Sequence, residues 1–91
     1  MNKSELIDKI SADAGITKAA ASKAIESMID GIAHSLKAGE RTTLVGFGTF
    51  TMSMRKSRIG RNPQTGAEIP IPAKNVVKFR AGKELEEILN R

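Results

Sequence analysis

The chain has 91 residues with no cysteine, tryptophan or tyrosine and only three phenylalanines, Phe47, Phe50 and Phe79. That length sets one small domain. Without cysteine there is no disulfide or cysteine-based metal site to staple it, so association with a second copy is the ordinary way to enlarge its core. The net charge of +5 is unevenly spread: Met1 to Met54 carries six bases and six acids, Arg55 to Lys83 eight bases and one acid, and the last eight residues one base and three acids.

The N-terminal segment opens with Asn2 as a helix cap, Glu5 three residues later, and Met1 and Leu6 at the positions of a hydrophobic staple. Leu6, Ile7, Ile10 and Ala14 follow helical spacing up to Gly15. Thr17 caps a second, longer helix whose stripe is Ala21, Ala24, Ile25, Met28, Ile29, Ile32 and Leu36, with Gly39 as its terminator. Gly31 interrupts that helix and marks either a close helix approach or nothing. After Glu40 the period shortens to two. Arg41 to Val45 reads as a strand, Gly46-Phe47-Gly48 as a turn that packs Phe47 in the core, and Thr49 to Arg55 as a half-buried strand facing inward through Phe50, Met52 and Met54. Val76, Val77 and Phe79 belong to a third strand. Gly82 precedes a closing helix with Leu85, Ile88 and Leu89 on its apolar face.

Between the second and third strands lies Lys56 to Lys74, with Pro63, Pro70 and Pro72, Gly60 and Gly66, and only Ile59, Ile69 and Ile71 as large apolar groups. Such a segment cannot pack a core of its own. Ile69 and Ile71 alternating with prolines suit an exposed edge strand, and Gly66 suits a left-handed turn position. The expectation is a protruding, flexible β-arm with limbs of about eight residues reaching roughly 25 Å. At its tip, Gly60 to Gly66 reads GRNPQTG, which places the apolar ring of Pro63 beside Arg61, Asn62 and Gln64. Cations for phosphates, polar groups for base edges and an apolar tip are what a nucleic-acid groove wedge needs.

A basic run is most often a solvated face; here it falls in the one segment that cannot pack, which favours a polyanion partner. His34 is the only histidine, so neither a histidine-cysteine pair nor a multi-histidine metal site exists, and it reads as a surface or interface residue. Adjacent Glu86 and Glu87 diverge on a helix and read as solvating. Gly46-Phe47-Gly48 lacks the Lys-Ser/Thr of a phosphate loop. The methionines sit at core-like spacing. No enzyme constellation and no cofactor are expected. Met1 to Ile10 is amphipathic and charged, unlike a signal peptide, and no apolar run approaches the roughly 20 residues of a membrane span, so the expected location is the cytoplasm, without membrane attachment.

Four blocks, MNKSELI at the start, GFGTF from Gly46, GRNPQTG from Gly60 and FRAGKEL from Phe79, resemble the HU and integration host factor family of bacterial DNA-bending proteins in order and spacing over essentially the whole chain. The resemblance implies an α+β fold: a helical base over residues 1–40, a three-stranded antiparallel saddle sheet from 41–55 and 75–81, a β-arm from 56–74 and a C-terminal helix from 82–91, assembled as an intertwined dimer. It implies double-stranded DNA as partner, held through the minor groove in the nucleoid. Bent, nicked or gapped duplexes should bind better because part of the deformation is already made. Pro63 would be the intercalating wedge, a mechanism known for the family itself. Arg61 and Asn62 would lie beside it, with Gln64 next to them. Arg55, Lys56, Arg58, Lys74, Lys78 and Arg80 would line the arms and saddle, and Lys3, Lys18 and Lys83 would hold DNA bent around the body. Ala81 stands where many members have proline, and Thr51 to Met54 is less charged than in many relatives. Two alternatives compete with an HU-type homodimer: a subunit of a site-specific heterodimer like integration host factor, and an RNA-binding protein. The second lacks aromatic stacking platforms, since the three phenylalanines read as core.

Overall fold

The first two helices form where their caps dictate. In the computed structural model, which describes all residues from Met1 to Arg91, α1 (Lys3–Ala14) starts with Asn2 Oδ1 accepting the Glu5 N–H at 2.9 Å and ends at Gly15 in the left-handed conformation. Met1 is 89% exposed, so the anticipated staple with Leu6 is not made. α2 (Lys18–Lys37) starts with Thr17 Oγ1 accepting the Ala20 N–H at 3.1 Å. It closes with Gly39 N–H donating to the Leu36 carbonyl and Glu40 N–H to the Ser35 carbonyl, the paired bonds of a Schellman ending. Space beside Gly31 is open: an added Cβ there would meet nothing within 4 Å, so it marks no close helix approach within the chain.

Two units divide the chain, Met1–His34 and Ser35–Arg91. In the first, only Ala21 and Ile25 are buried. The second carries a three-stranded antiparallel sheet, β1 (Thr42–Leu44), β2 (Gly48–Arg55) and β5 (Lys74–Ala81), with β2 central. A separate two-stranded ladder, β3 (Arg58–Arg61) with β4 (Glu68–Ile71), leaves and rejoins it, and α3 (Lys83–Leu89) closes the chain. The architecture is therefore α+β. The strand expected from Arg41 to Val45 shrinks to three residues because Leu44, Val45, Gly46 and Phe47 form a turn, Phe47 N–H donating to the Leu44 carbonyl at 2.9 Å with Gly46 at φ +87°. Positive φ at the third turn position is the type II signature. Gly48 is needed for a different reason: a Cβ there would lie 2.6 Å from the Arg80 carbonyl oxygen and from the Phe79 ring.

Phe50 pairs with Phe79 across β2 and β5, and Phe47 joins them, giving ring centroids 4.9 Å apart for Phe50–Phe79 and 5.1 Å for Phe47–Phe79. This aromatic cluster sits at the sequence-expected core positions, but the chain leaves it partly uncovered. Phe47 is 44% exposed, Phe79 43% and Met54 68%, and Met28 on α2 is 48% exposed. Core positions for Phe47, Phe79, Met28 and Met54 are thus corrected for the single chain. Its buried apolar residues are only Ala21, Ile25 and Leu36, because 91 residues split between a helical unit and a thin sheet leave too few layers to enclose them.

Candidate nucleic-acid interface

Alternation along paired strands separates the sheet into two faces. Phe50 and Met52 share one with Phe79 and Val77. Thr49, Thr51, Ser53 and Arg55 share the other with their partners Arg80, Lys78, Val76 and Lys74. The second face is a strip of small hydroxyl side chains edged by four cations, and Arg55 stands directly opposite Lys74. Like charges directly opposed across a ladder destabilise it. The arrangement is favoured only where an anion sits between or above them.

Past that pair the chain rises into the arm. Arg58 pairs with Ile71, Ile59 with Pro70, Gly60 with Ile69 and Arg61 with Glu68, a ladder of four pairs. Pro70, lacking an N–H, sits on a two-stranded ribbon whose outer edge has no partner to satisfy. The ladder is shorter than limbs of eight residues, because Lys56-Ser57 and Pro72-Ala73 interrupt pairing at the base, and Lys74, assigned to the arm from sequence, already belongs to β5. Asn62 to Gly66 close the tip. Gly66 N–H donates to the Asn62 carbonyl at 2.7 Å, Asn62 N–H donates to the Ala67 carbonyl at 2.8 Å, and Gly66 has φ +71°. Arg61, Pro63 and Gln64 are exposed on this turn.

Ion pairing divides the candidate cations. Lys3 lies 3.6 Å from Glu26, Lys18 3.3 Å from Asp8 and Lys83 3.9 Å from Glu87. Arg55, Lys56, Arg58, Arg61, Lys74, Lys78 and Arg80 have no carboxylate oxygen within 4.0 Å. Exposed pairs are worth about 0–1 kcal/mol, so the first three lysines are lightly held and a phosphate can displace their partners. The other seven are uncompensated. The one protonation shift lies elsewhere: the hydrogen bond that Lys9 donates to the Asp13 carboxylate, together with that carboxylate's charge, raises Lys9 above the ordinary lysine value on the open surface of α1. No group of three or more histidines, cysteines, aspartates or glutamates is arranged to hold a metal, and no helix is long and apolar enough to cross a membrane.

The family model described as bacterial DNA-binding protein matches residues 1–90. The chain belongs to that family. It is 57% identical to the DNA-binding protein HU-beta of Serratia marcescens and 56% identical to HU-beta of Escherichia coli K12. Each match covers 99% of this chain and 100% of the relative. Among solved structures it is similar to HU from Anabaena in a cocrystal with DNA, with a TM-score of 0.90 at 40% identity, covering 98% of this chain and 97% of that one. HU from Thermotoga maritima matches with a TM-score of 0.68 at 30% identity, covering 98% of each chain. The family is one of DNA-binding proteins, not of enzymes.

Within this family frame, sequence reading missed the hydroxyl strip. Thr49, Thr51 and Ser53 looked merely uncharged, yet the register puts Thr49 and Thr51 against Arg80 and Lys78. Alternation outward from Arg80 and Lys78 was the signal that would have found them, since hydroxyls commonly donate to phosphate oxygens. Glu68 is the one acid counted between Arg55 and Lys83. Pairing shows it facing Arg61 at the head of the arm ladder.

Proposed function

We propose that the protein binds double-stranded DNA as a homodimer, through the minor groove and with low sequence specificity, and bends and compacts it in the nucleoid by inserting Pro63 at each arm tip. The observation that carries this reading is the run of seven uncompensated cations along one sheet face and the arm, ending in an exposed proline. Phosphate contacts supply affinity without sequence information, and the minor groove offers only a degenerate A·T-versus-G·C pattern. No helix is needed to enter the major groove. A second copy is supported by the uncovered apolar face around Phe47, Met52, Val77 and Phe79, a patch of the kind soluble monomers rarely leave open. Arg55, Lys56, Arg58, Lys74, Lys78 and Arg80 contact phosphates, Arg61 and Gln64 flank the wedge, and Lys3, Lys18 and Lys83 exchange their carboxylate partners for the bent duplex.

A salt titration of binding to duplex DNA tests it. Lys78→Gln in both copies should lower the slope of log K against log salt by about 2, one phosphate contact for each copy, while leaving preference among unrelated duplexes unchanged. An unchanged slope, a strong preference for one DNA site, or tighter binding to structured RNA than to bent duplex would defeat the reading. Glu68→Gln should act in the opposite direction. Removing the single acid between Arg55 and Lys83 should tighten duplex binding roughly threefold to fivefold per protomer at low salt, with the gain fading as salt is raised.

A further inference from the structure

We infer that Asn62 is a positioning residue for Pro63: its side-chain carbonyl fixes the turn that presents the ring, and it does not read base edges. The inference rests on the wedge reading above and concerns what holds the wedge in place. From Arg61 to Pro70 every residue is exposed except Asn62, which is half-buried. Four hydrogen bonds close the tip, and three run through this one residue. Its Oδ1 accepts the Gln64 N–H at 2.9 Å, its backbone carbonyl accepts the Gly66 N–H at 2.7 Å, and its own N–H donates to the Ala67 carbonyl at 2.8 Å. The fourth is the longer Ala67 N–H to Thr65 Oγ1 bond at 3.3 Å.

Pro63 cannot tie itself down, because its ring nitrogen carries no hydrogen. Its direction is therefore set by the residues on either side. A residue before proline is already biased to an extended backbone, and an asparagine there can fold its side chain over to the next free N–H, two positions on, as an Asx turn. Gln64 N–H is that donor. With Oδ1 committed inside the tip, only the amide Nδ2 hydrogens remain free. Minor-groove edges of A·T and T·A both present acceptors, so a lone donor distinguishes little between them. Asn62 therefore serves geometry, and the tip stays indifferent to sequence.

The test compares Asn62→Ala, Asn62→Asp and Pro63→Ala in the full-length protein. Aspartate keeps an acceptor for the Gln64 N–H and loses the amide donor; alanine loses both. In the free protein, Asn62→Ala should speed hydrogen exchange at the Gln64 amide about tenfold, the equivalent of one net hydrogen bond, and should reduce the bend of an intact duplex measured by energy transfer. Asn62→Asp should restore both the protected amide and the bend, while weakening affinity by a factor that shrinks at high salt. If Asn62→Asp bends DNA as poorly as Asn62→Ala, or Asn62→Ala bends like the wild type, the assignment is wrong. Wild-type bending by Pro63→Ala would instead remove the wedge reading, and Gln64 exchange would still decide whether Asn62 organises the turn.

Discussion

Phe79→Ala should cost about 3–5 kcal/mol per protomer and separate the dimer at concentrations where the wild type is fully assembled. Phe79 is the middle ring of the aromatic cluster, with Phe50 at 4.9 Å and Phe47 at 5.1 Å, and its ring passes over Gly48 too closely for any Cβ. Yet it is 43% exposed in one chain. If the lone chain were the functional unit, truncation would sacrifice only the packed half of the side chain, about 1.5 kcal/mol or less by area. A full core penalty arises only when a second copy covers the open half. Urea unfolding over a hundredfold range of protein concentration distinguishes the two. The wild-type midpoint should rise with concentration, as mass action requires of a dimer with no stable monomer, and the variant midpoint should fall steeply. A concentration-independent wild-type midpoint together with a small loss for Phe79→Ala would show that the apolar face is not an interface between copies.

Loss of the dimer would also remove the proposed activity, because the cations of one chain are spread thinly. Seven uncompensated bases along the sheet face and arm of one chain bind a polyanion weakly at physiological salt; two linked sets act at a high effective concentration. Phe79→Ala should therefore abolish tight duplex binding although Phe79 lies on the face away from Arg80 and Lys78.

Much of this architecture was legible because it is locally encoded. Asn2, Thr17 and Gly39 determine helix ends through bonds spanning three to five residues, and each does so in the structure. The period-two run from Phe50 to Met54 exposed the strand, and the prolines at 63, 70 and 72 exposed the segment that leaves the sheet. Charge segregation was likewise visible as a count along the chain. What stayed hidden depends on partners distant in sequence. The opposition of Arg55 and Lys74 and the hydroxyl strip beside Arg80 and Lys78 follow from a register that no single strand carries. Exposure of Phe47 and Met54 was misread because an apolar side chain at core spacing looks the same whether its cover comes from its own chain or from another. At the tip, composition identified Pro63 but not the hydrogen bond from Gln64 to Asn62, since asparagine before proline serves equally well as a groove contact or as a turn brace.

Pro63→Ala should largely abolish kinking while leaving most of the salt-dependent affinity. Separating a base step costs a few kcal/mol, and an apolar ring that replaces the lost stacking offsets that cost where it occurs. Alanine is too short to fill the opened step, so the duplex should revert to a smooth curve, whose elastic cost of about 1–6 kcal/mol must then come from phosphate contacts alone. The bend angle should fall first, and affinity for intact duplex by roughly tenfold, with the salt slope unchanged because no cation has been touched. On a duplex nicked at the kink the loss should be smaller, since the step is already open. Proline also restricts the turn, and relaxing it costs about 0.4–1 kcal/mol independently of DNA. Pro63→Leu separates the two roles: it keeps an apolar wedge and removes the ring constraint, so it should recover a substantial part of the bend that alanine loses. Ring-closure rates or energy transfer between duplex ends measure the angle directly. Equal bends for the wild type and Pro63→Ala would remove the wedge and leave the arms as phosphate clamps.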